Sequence, residues 1–462
     1  MSTHFLPRAT TRLGFHYFPD TLHYREIDVH AWLPEFKSTG ISWLTLLAPS
    51  NRAIPEFFIR SLIHANIEPV LHFHLPLTRK PELSNLSLLF NVYAEWGVRY
   101  VALFDRPNLR RAWSGNAWAQ SDLVERFLDL FLPAADLAVR AGLQPVTPPL
   151  EPGGDYWDTA FLRAALQGIQ RRGQSSIVEN LVLGAYAWTN ERRLGWGAGG
   201  PESWPQARPY HTPAGQEDQR GFYIFDWYLA IAEAQLGSPL PVLLLGAGFP
   251  PVANSPKSSQ QPELDAHTAT HLNIARLMMG MPVEKALERD TLWPVSAHVL
   301  ACNFWLLATG PGSAEASRAW YLADGSHLPI VSAFRQLQSN ATGEISPSSA
   351  NHTSTGKTAI SSRPISHYLL LPQTTCQTTC QAACPEGDEM PAELWQFICQ
   401  HHPTVGFSLE EAALASRVTI YGEQPELTES NLSWLRGAGC TLEHLGGIGT
   451  SIAPQAVTQH TE

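Results

Sequence analysis

The stretch Tyr100–Trp113 reads YVALFDRPNLRRAW. Five consecutive apolar residues, Tyr100 to Phe104, stop at Asp105-Arg106-Pro107-Asn108. A strand that is apolar at every position is buried on both faces, as in a parallel sheet covered by helices. A strand that turns polar in one step is leaving that core for a solvent-facing rim. In a parallel barrel this rim, at the C-terminal ends of the strands, is where chemistry sits.

The same phrase recurs on either side. A helix ends, a Gly or Asn makes the turn, and an apolar strand follows: STG-ISWLTLLAP, HAN-IEPVLHFHLP, RAG-LQPVTPPLEP and QLG-SPLPVLLLGAG. Gly and Asn suit the left-handed residue that closes a helix. Eight strands are expected, at about 12–18, 41–48, 68–74, 99–105, 144–150, 181–188, 240–247 and 297–305. Helices are expected between them, clearest at Ile27–Lys37, Ile54–His64, Leu123–Ala141, Thr159–Arg171, Gly221–Leu236 and Ala266–Met279. Eight alternating units predict a (β/α)8 TIM barrel over 1–338, closed by a helix near Pro329–Gln338. The competing fold, a doubly wound open sheet, lacks a Gly-rich loop after strand one.

Residues 339–364 are rich in Ser and Thr and read as a linker. Residues 365–462 read as a small α/β domain. ISHYLLLP, RVTIYG and CTLEHLG are its strands, PAELWQFICQHH and Leu427–Arg436 its helices, and Ser408 with Glu411 a capping box. Cys376, Cys380 and Cys384 recur every fourth residue, but TTCQTTCQAAC looks more like a near-repeated insertion than a cluster site. The role of this domain is open.

The 462 residues carry a net charge of −11, which gives no electrostatic attraction to nucleic acid or an anionic membrane. No apolar run approaches the length of a membrane span. MSTHFLPRATTRLGF lacks the apolar centre of a signal peptide, so a cytoplasmic location is expected. The Asn-x-Ser/Thr matches at Asn85, Asn340, Asn351 and Asn431 are then chance. Neutral ligands remain open, and the 15 Trp add modest weight to a surface that stacks on rings.

Reading each strand's C-terminal end gives the candidate rim. Strand one offers His16, Asp20 and His23; strand two Ser50 and Asn51; strand three His72 and His74. Strand four offers Asp105, Arg106 and Asn108; strand five Glu151, Asp155, Trp157 and Asp158. Strand six offers Trp188, Asn190, Glu191 and Trp196; strand seven, LLLGAGFP, no carboxylate; strand eight Asn303 and Trp305. Amides, carboxylates and His bind hydroxyls while Trp covers the apolar face of a ring, so the set suits a sugar. Hydrolysis of a glycosidic bond needs two carboxylates.

Asp105-Arg106-Pro107-Asn108 stands beside the Asn-Glu-Pro-Asn of the (β/α)8 glycoside hydrolase superfamily of the cellulase and β-galactosidase type. Residues 12–338 resemble that superfamily in strand order. Segments such as EPGGDYWDTAFL, AYAWTN, WGAGGPESWP and EDQRGFYIFDWY also resemble an uncharacterised bacterial group of barrels. The resemblance implies an acid/base Glu after strand four and a nucleophile Glu after strand seven. Those positions fall on Arg106 and Gly246. The chemistry is therefore expected to have moved or to be lost.

If moved, Glu151 is the first candidate catalytic carboxylate, partnered by Glu191 or Asp155. Against this, Glu151 can anchor the Pro152-Gly153-Gly154 turn, Glu191 can be a solvated acid beside Arg192 and Arg193, and Asp158 is expected to cap a helix. Arg106 is expected to pair with a nearby acid. His16, His72, Asp105, Arg106, Asn108, Trp157, Trp188, Asn190, Trp196 and Trp305 are candidate substrate-binding residues. The partner would be an oligo- or polysaccharide. If the chemistry is lost, the barrel binds a glycan or protein without cleaving it.

His72 and His74 share a strand face and with His16 can form a metal site if their rings converge, giving a metal-dependent hydrolase. Ordinary barrel packing with hydrogen-bonded imidazoles is the favoured reading of them, no spaced ligand motif supports a metal, and none is expected; nor is a cofactor. Gly195–Arg220 is a long loop that either walls the rim, with Trp196, Trp204 and Tyr210 as platforms, or packs rigidly on the barrel.

Overall fold

A computed structural model describes residues 9–208, 210–213, 215–249, 257–284, 291–342, 363–372, 392–422 and 427–445. Residues 373–391, with Cys376, Cys380 and Cys384, and most of the expected 339–364 linker lie outside them. Contacts divide the chain into two units, residues 1–50 with 58–353, and 51–57 with 354–462.

The first unit is a TIM barrel. Its eight parallel strands are β1 (Leu13–His16), β2 (Trp43–Leu47), β3 (Glu68–Phe73), β4 (Tyr100–Leu103), β5 (Gln144–Val146), β6 (Leu183–Trp188), β7 (Val242–Gly248) and β8 (Val299–Phe304). They pair in the order β5-β4-β3-β2-β1-β8-β7-β6. Parallel bridges Val146 to Val182 and Leu150 to Ala185 join β5 to β6 and close the ring.

Alternation explains why the strands read as unbroken apolar runs. Trp43, Val70, Tyr100, Ala102, Val146, Tyr186, Leu243, Leu245 and Ala301 fill the barrel interior. Their neighbours Leu44, Leu71, Phe73, Val101 and Leu244 are buried too, beneath the helices. Both faces of each strand are thus removed from water. Helices follow the expected places with shifted ends: Glu26–Thr39, Leu123–Arg140, Asp158–Arg171, Ile224–Leu236 and Lys257–Met278, with Pro329–Thr342 last. Thus the closing helix runs four residues into the expected linker. Leu83–Glu95 is a further helix, its apolar side buried at Leu86, Leu89, Phe90 and Tyr93.

The second unit is a four-stranded parallel sheet. Its strands β9 (Ile365–Leu370), β10 (Thr404–Gly406), β11 (Ala415–Tyr421) and β12 (Thr441–Leu445) lie in the order β10-β9-β11-β12. Helices Ala392–His401 and Glu429–Gly437 accompany them. Ser408 caps its helix by accepting from the Glu411 backbone N–H, while the Glu411 carboxylate turns to Arg52 at 3.1 Å. Arg52 comes from 51–57, which extends this sheet: Ala53 N–H donates to the Val405 carbonyl and Phe407 N–H to the Asn51 carbonyl. Asn51, read as a rim residue after strand two, therefore belongs to the small sheet.

One expected cap is corrected. Asp158 is the first residue inside its helix, not the N-cap, which is Trp157. The Asp158 carboxylate is fully buried and accepts from Gly153 N–H, Gln219 and Tyr228. Asp218 is buried against Arg192, Arg220 and the Trp196 indole N–H.

Asp226 opens helix Ile224–Leu236 and accepts from Gly199 N–H at 2.8 Å, pinning the long loop. Burial pushes its carboxyl up to about 6, against a smaller lowering by that hydrogen bond. Between about pH 4 and 6 the folded chain holds this proton while the unfolded chain has released it, so stability falls as pH rises. Asp226→Asn keeps the acceptor and removes the ionisation. It should stabilise the barrel by about 1–2 kcal/mol at pH 7.5, allowing for partial exposure, and be neutral at pH 4. Equal midpoints in denaturant at pH 7.5 would contradict this.

Candidate functional site

The C-terminal ends of β4, β5 and β6 open into a cleft of about 1030 Å³. Glu151, Asp155 and Glu191 line it with Trp188, Trp305, Phe249 and four arginines, Arg106, Arg110, Arg111 and Arg318. The three candidate carboxylates thus share one cavity.

The turn after β4 organises the near wall. Phe104 and Arg106 both have positive φ, 67° and 43°, rare for residues with bulky side chains. Between them, Asp105 accepts from the Tyr186 hydroxyl at 2.7 Å and from Arg106 Nε at 2.8 Å. Burial raises the Asp105 carboxyl, but His74, His72, Arg106 and the Tyr186 hydrogen bond outweigh it and the net direction is down. Arg106 also reaches Glu151, N to O 3.5 Å, and lies over the Tyr186 ring. The expected pairing of Arg106 is therefore present, and it joins two acids.

Glu151 is held by its backbone. Its N–H donates to Asn108 Oδ1 at 2.9 Å, and Asn108 Nδ2 donates to its carbonyl at 2.8 Å and to that of Tyr156 at 3.0 Å. Asn108 is fully buried and its amide is consumed in this clamp. That corrects its reading as a substrate ligand: it positions Glu151. Asp155 is exposed and accepts from Arg110 N–H at 2.8 Å. Asn190 and Glu191 take left-handed φ of 48° and 59° on the opposite wall and are exposed.

The aromatic set divides. Tyr186 and Trp188 stack at 5.1 Å, Trp188 meets Trp305 edge-on at 6.2 Å, and Trp305 lies 4.2 Å from the His16 ring. The Trp305–Leu306 peptide is cis. Trp196 packs within its own loop on Trp204, with the Arg192 guanidinium 4.4 Å above it. Trp157 lies under Arg220. Neither Trp196 nor Trp157 lines the cleft, which favours the packed-loop reading of Gly195–Arg220. Tyr186 is the residue that strand-end reading missed; its place two before Trp188, on the same face of β6, could have marked it.

His16 and His72 are buried below the rim, whereas His74 is exposed. Burial, then the neighbouring imidazoles His72 and His74, holds His16 well below the usual histidine range, and among the described residues neither of its ring nitrogens has a hydrogen-bond partner.

Strand β7 lacks not only a carboxylate but room for one. A Cβ on Gly246 would stand 2.6 Å from Trp188 and 3.0 Å from Tyr186, and one on Gly248 would overlap the His271 ring.

No family model and no curated protein matches the chain. Among solved structures it is similar to a β-xylosidase from Caulobacter crescentus, at 12% identity over 72% of this chain and 68% of that one, with a TM-score of 0.43. It is similar to a Bacteroides ovatus xyloglucanase in complex with a heptasaccharide, at 8% identity over 73% and 77%, TM-score 0.41. A β-galactosidase from Rahnella matches at 9% identity over 96% and 72%, TM-score 0.40. At such distances the barrel assignment rests on the chain's own strand order.

Proposed function

We propose that the barrel is a carbohydrate-active, glycoside-hydrolase-like enzyme that takes an oligo- or polysaccharide in the cleft and hydrolyses an O-glycosidic bond. The observation that carries this is the shared lining of one cavity by Glu151, Asp155 and Glu191 beside Trp188 and Trp305. Aromatic faces cover a sugar's apolar side, and two carboxylates are the minimum for the reaction. Glu151, in contact with Arg106 and with its backbone clamped by Asn108, is the carboxylate held in place to act on the anomeric centre or on water. Asp155 and Glu191, both exposed and in the same lining, are the candidates to protonate the leaving oxygen.

The test is reducing-sugar release from a panel of plant, fungal and bacterial polysaccharides. Release from at least one is expected. Binding to a panel member without release would leave the cleft a glycan-binding site and remove the enzyme; neither binding nor release would remove the glycan.

A further inference from the structure

His72, His74 and Asp105 come from two adjacent strand ends, β3 and β4, and one ligand atom of each lies within 4.8 Å of the others. We propose that these three side chains bind a divalent transition-metal ion of the zinc class, through His72 Nδ1, His74 Nε2 and an Asp105 carboxylate oxygen. The inference rests on this cluster and not on the glycan reading.

The geometry supplies three reasons. First, His72 Nε2 lies 2.9 Å from the Phe104 carbonyl. A carbonyl only accepts, so Nε2 carries the proton and the Nδ1 lone pair is left to face His74. A ligating His normally donates its other N–H in this way. Second, His72 Nδ1 and His74 Nε2 are 3.3 Å apart with rings at 80°. Two nitrogens bound at about 2.0–2.1 Å to a tetrahedral ion sit about 3.3–3.4 Å apart. Third, Asp105 is oriented by Tyr186 and Arg106, one on each oxygen, leaving a further lone pair on each for an ion.

Charge is compatible. Asp105 and Glu151 contribute two negative charges around Arg106, so the immediate surroundings are net negative before the ion arrives. Two His and one carboxylate leave a fourth position for water or a ligand oxygen, the pattern of an open zinc site. The two imidazoles also fit a plain His74-to-His72 hydrogen bond, and the experiment separates the two. No sequence spacing marks the cluster, because its third member is 31 residues from the second and meets it only through the pairing of β3 with β4.

The untagged full chain, dialysed against chelator, is titrated with Zn²⁺ by calorimetry and with Co²⁺ by visible absorption. One ion per chain is expected, with d–d bands of a nitrogen/oxygen set. His74→Ala, at an exposed position, should weaken binding about 100-fold or more while leaving the unfolding midpoint of the metal-free chain in place. Tyr186→Phe, which removes an orienting donor, should weaken it by about 10-fold. Absence of binding by the wild type, or undiminished binding by His74→Ala, overturns the proposal. Glycan binding by the metal-free chain is measured in parallel, so failure of either reading leaves the other standing.

Discussion

Glu151→Gln should lower reducing-sugar release by about 1000-fold or more, with little change in KM. Loss of a catalytic carboxylate removes stabilisation found only in the transition state, so kcat carries the effect. Gln keeps the volume and can still accept from Arg106, so the fold should not change. The backbone clamp is indifferent to the substitution, because Asn108 bonds the peptide N–H and carbonyl of residue 151 and not its side chain. Glu191→Gln and Asp155→Asn then identify the partner: whichever loses kcat more steeply, and recovers with added azide or formate, is the second carboxylate. A Glu151→Gln enzyme that still releases sugar at the wild-type rate would sink Glu151. Asn108→Ala should fall between, lowering kcat by about 10-fold through misplacement of Glu151.

How much of this was legible follows from what kind of information each feature needs. The barrel was, because a strand buried on both faces writes itself as a continuous apolar run, and Tyr100–Phe104 is such a run. The rim was largely legible too: Glu151, Asp155, Trp188, Asn190, Glu191 and Trp305 all line the cleft, at strand ends or in the loops that follow. What stayed hidden depends on partners far away in sequence. Asn108 looks like a sugar ligand until the peptide of Glu151, 43 residues on, takes its amide. Asp158 looks like a cap until Gln219 and Tyr228 arrive from a later loop and helix to bury it. Trp196 looks like a platform until Asp218 takes its indole N–H. The 51–57 segment follows a barrel strand, yet its hydrogen bonds belong to a sheet formed 350 residues later.

Gly248→Ala should cost the barrel about 2–4 kcal/mol, the largest stability effect expected of any single methyl added to the rim. Two terms add. Gly248 has φ of 94°, which an L side chain adopts only with strain of about 1 kcal/mol or more. The added Cβ would also overlap His271, and overpacking a buried site costs about 1–3 kcal/mol. His271 cannot yield: it is fully buried, its Nδ1 is bonded to the His267 carbonyl at 2.7 Å, its Nε2 accepts from Phe249 N–H, and Trp320 and Phe304 close on its ring. His271→Ala should therefore rescue part of the loss in the double variant, since the overlap disappears while the backbone strain stays. Denaturant unfolding followed by near-ultraviolet circular dichroism measures both. An unchanged midpoint for Gly248→Ala would mean that β7 has space for a side chain, and the lack of a carboxylate there would need another cause. With the expected loss, the cause is steric: Trp188, Tyr186 and His271 occupy the volume that a strand-seven carboxylate would need, and the acids that line this cleft, Glu151, Asp155 and Glu191, come from the loops after β5 and β6 instead.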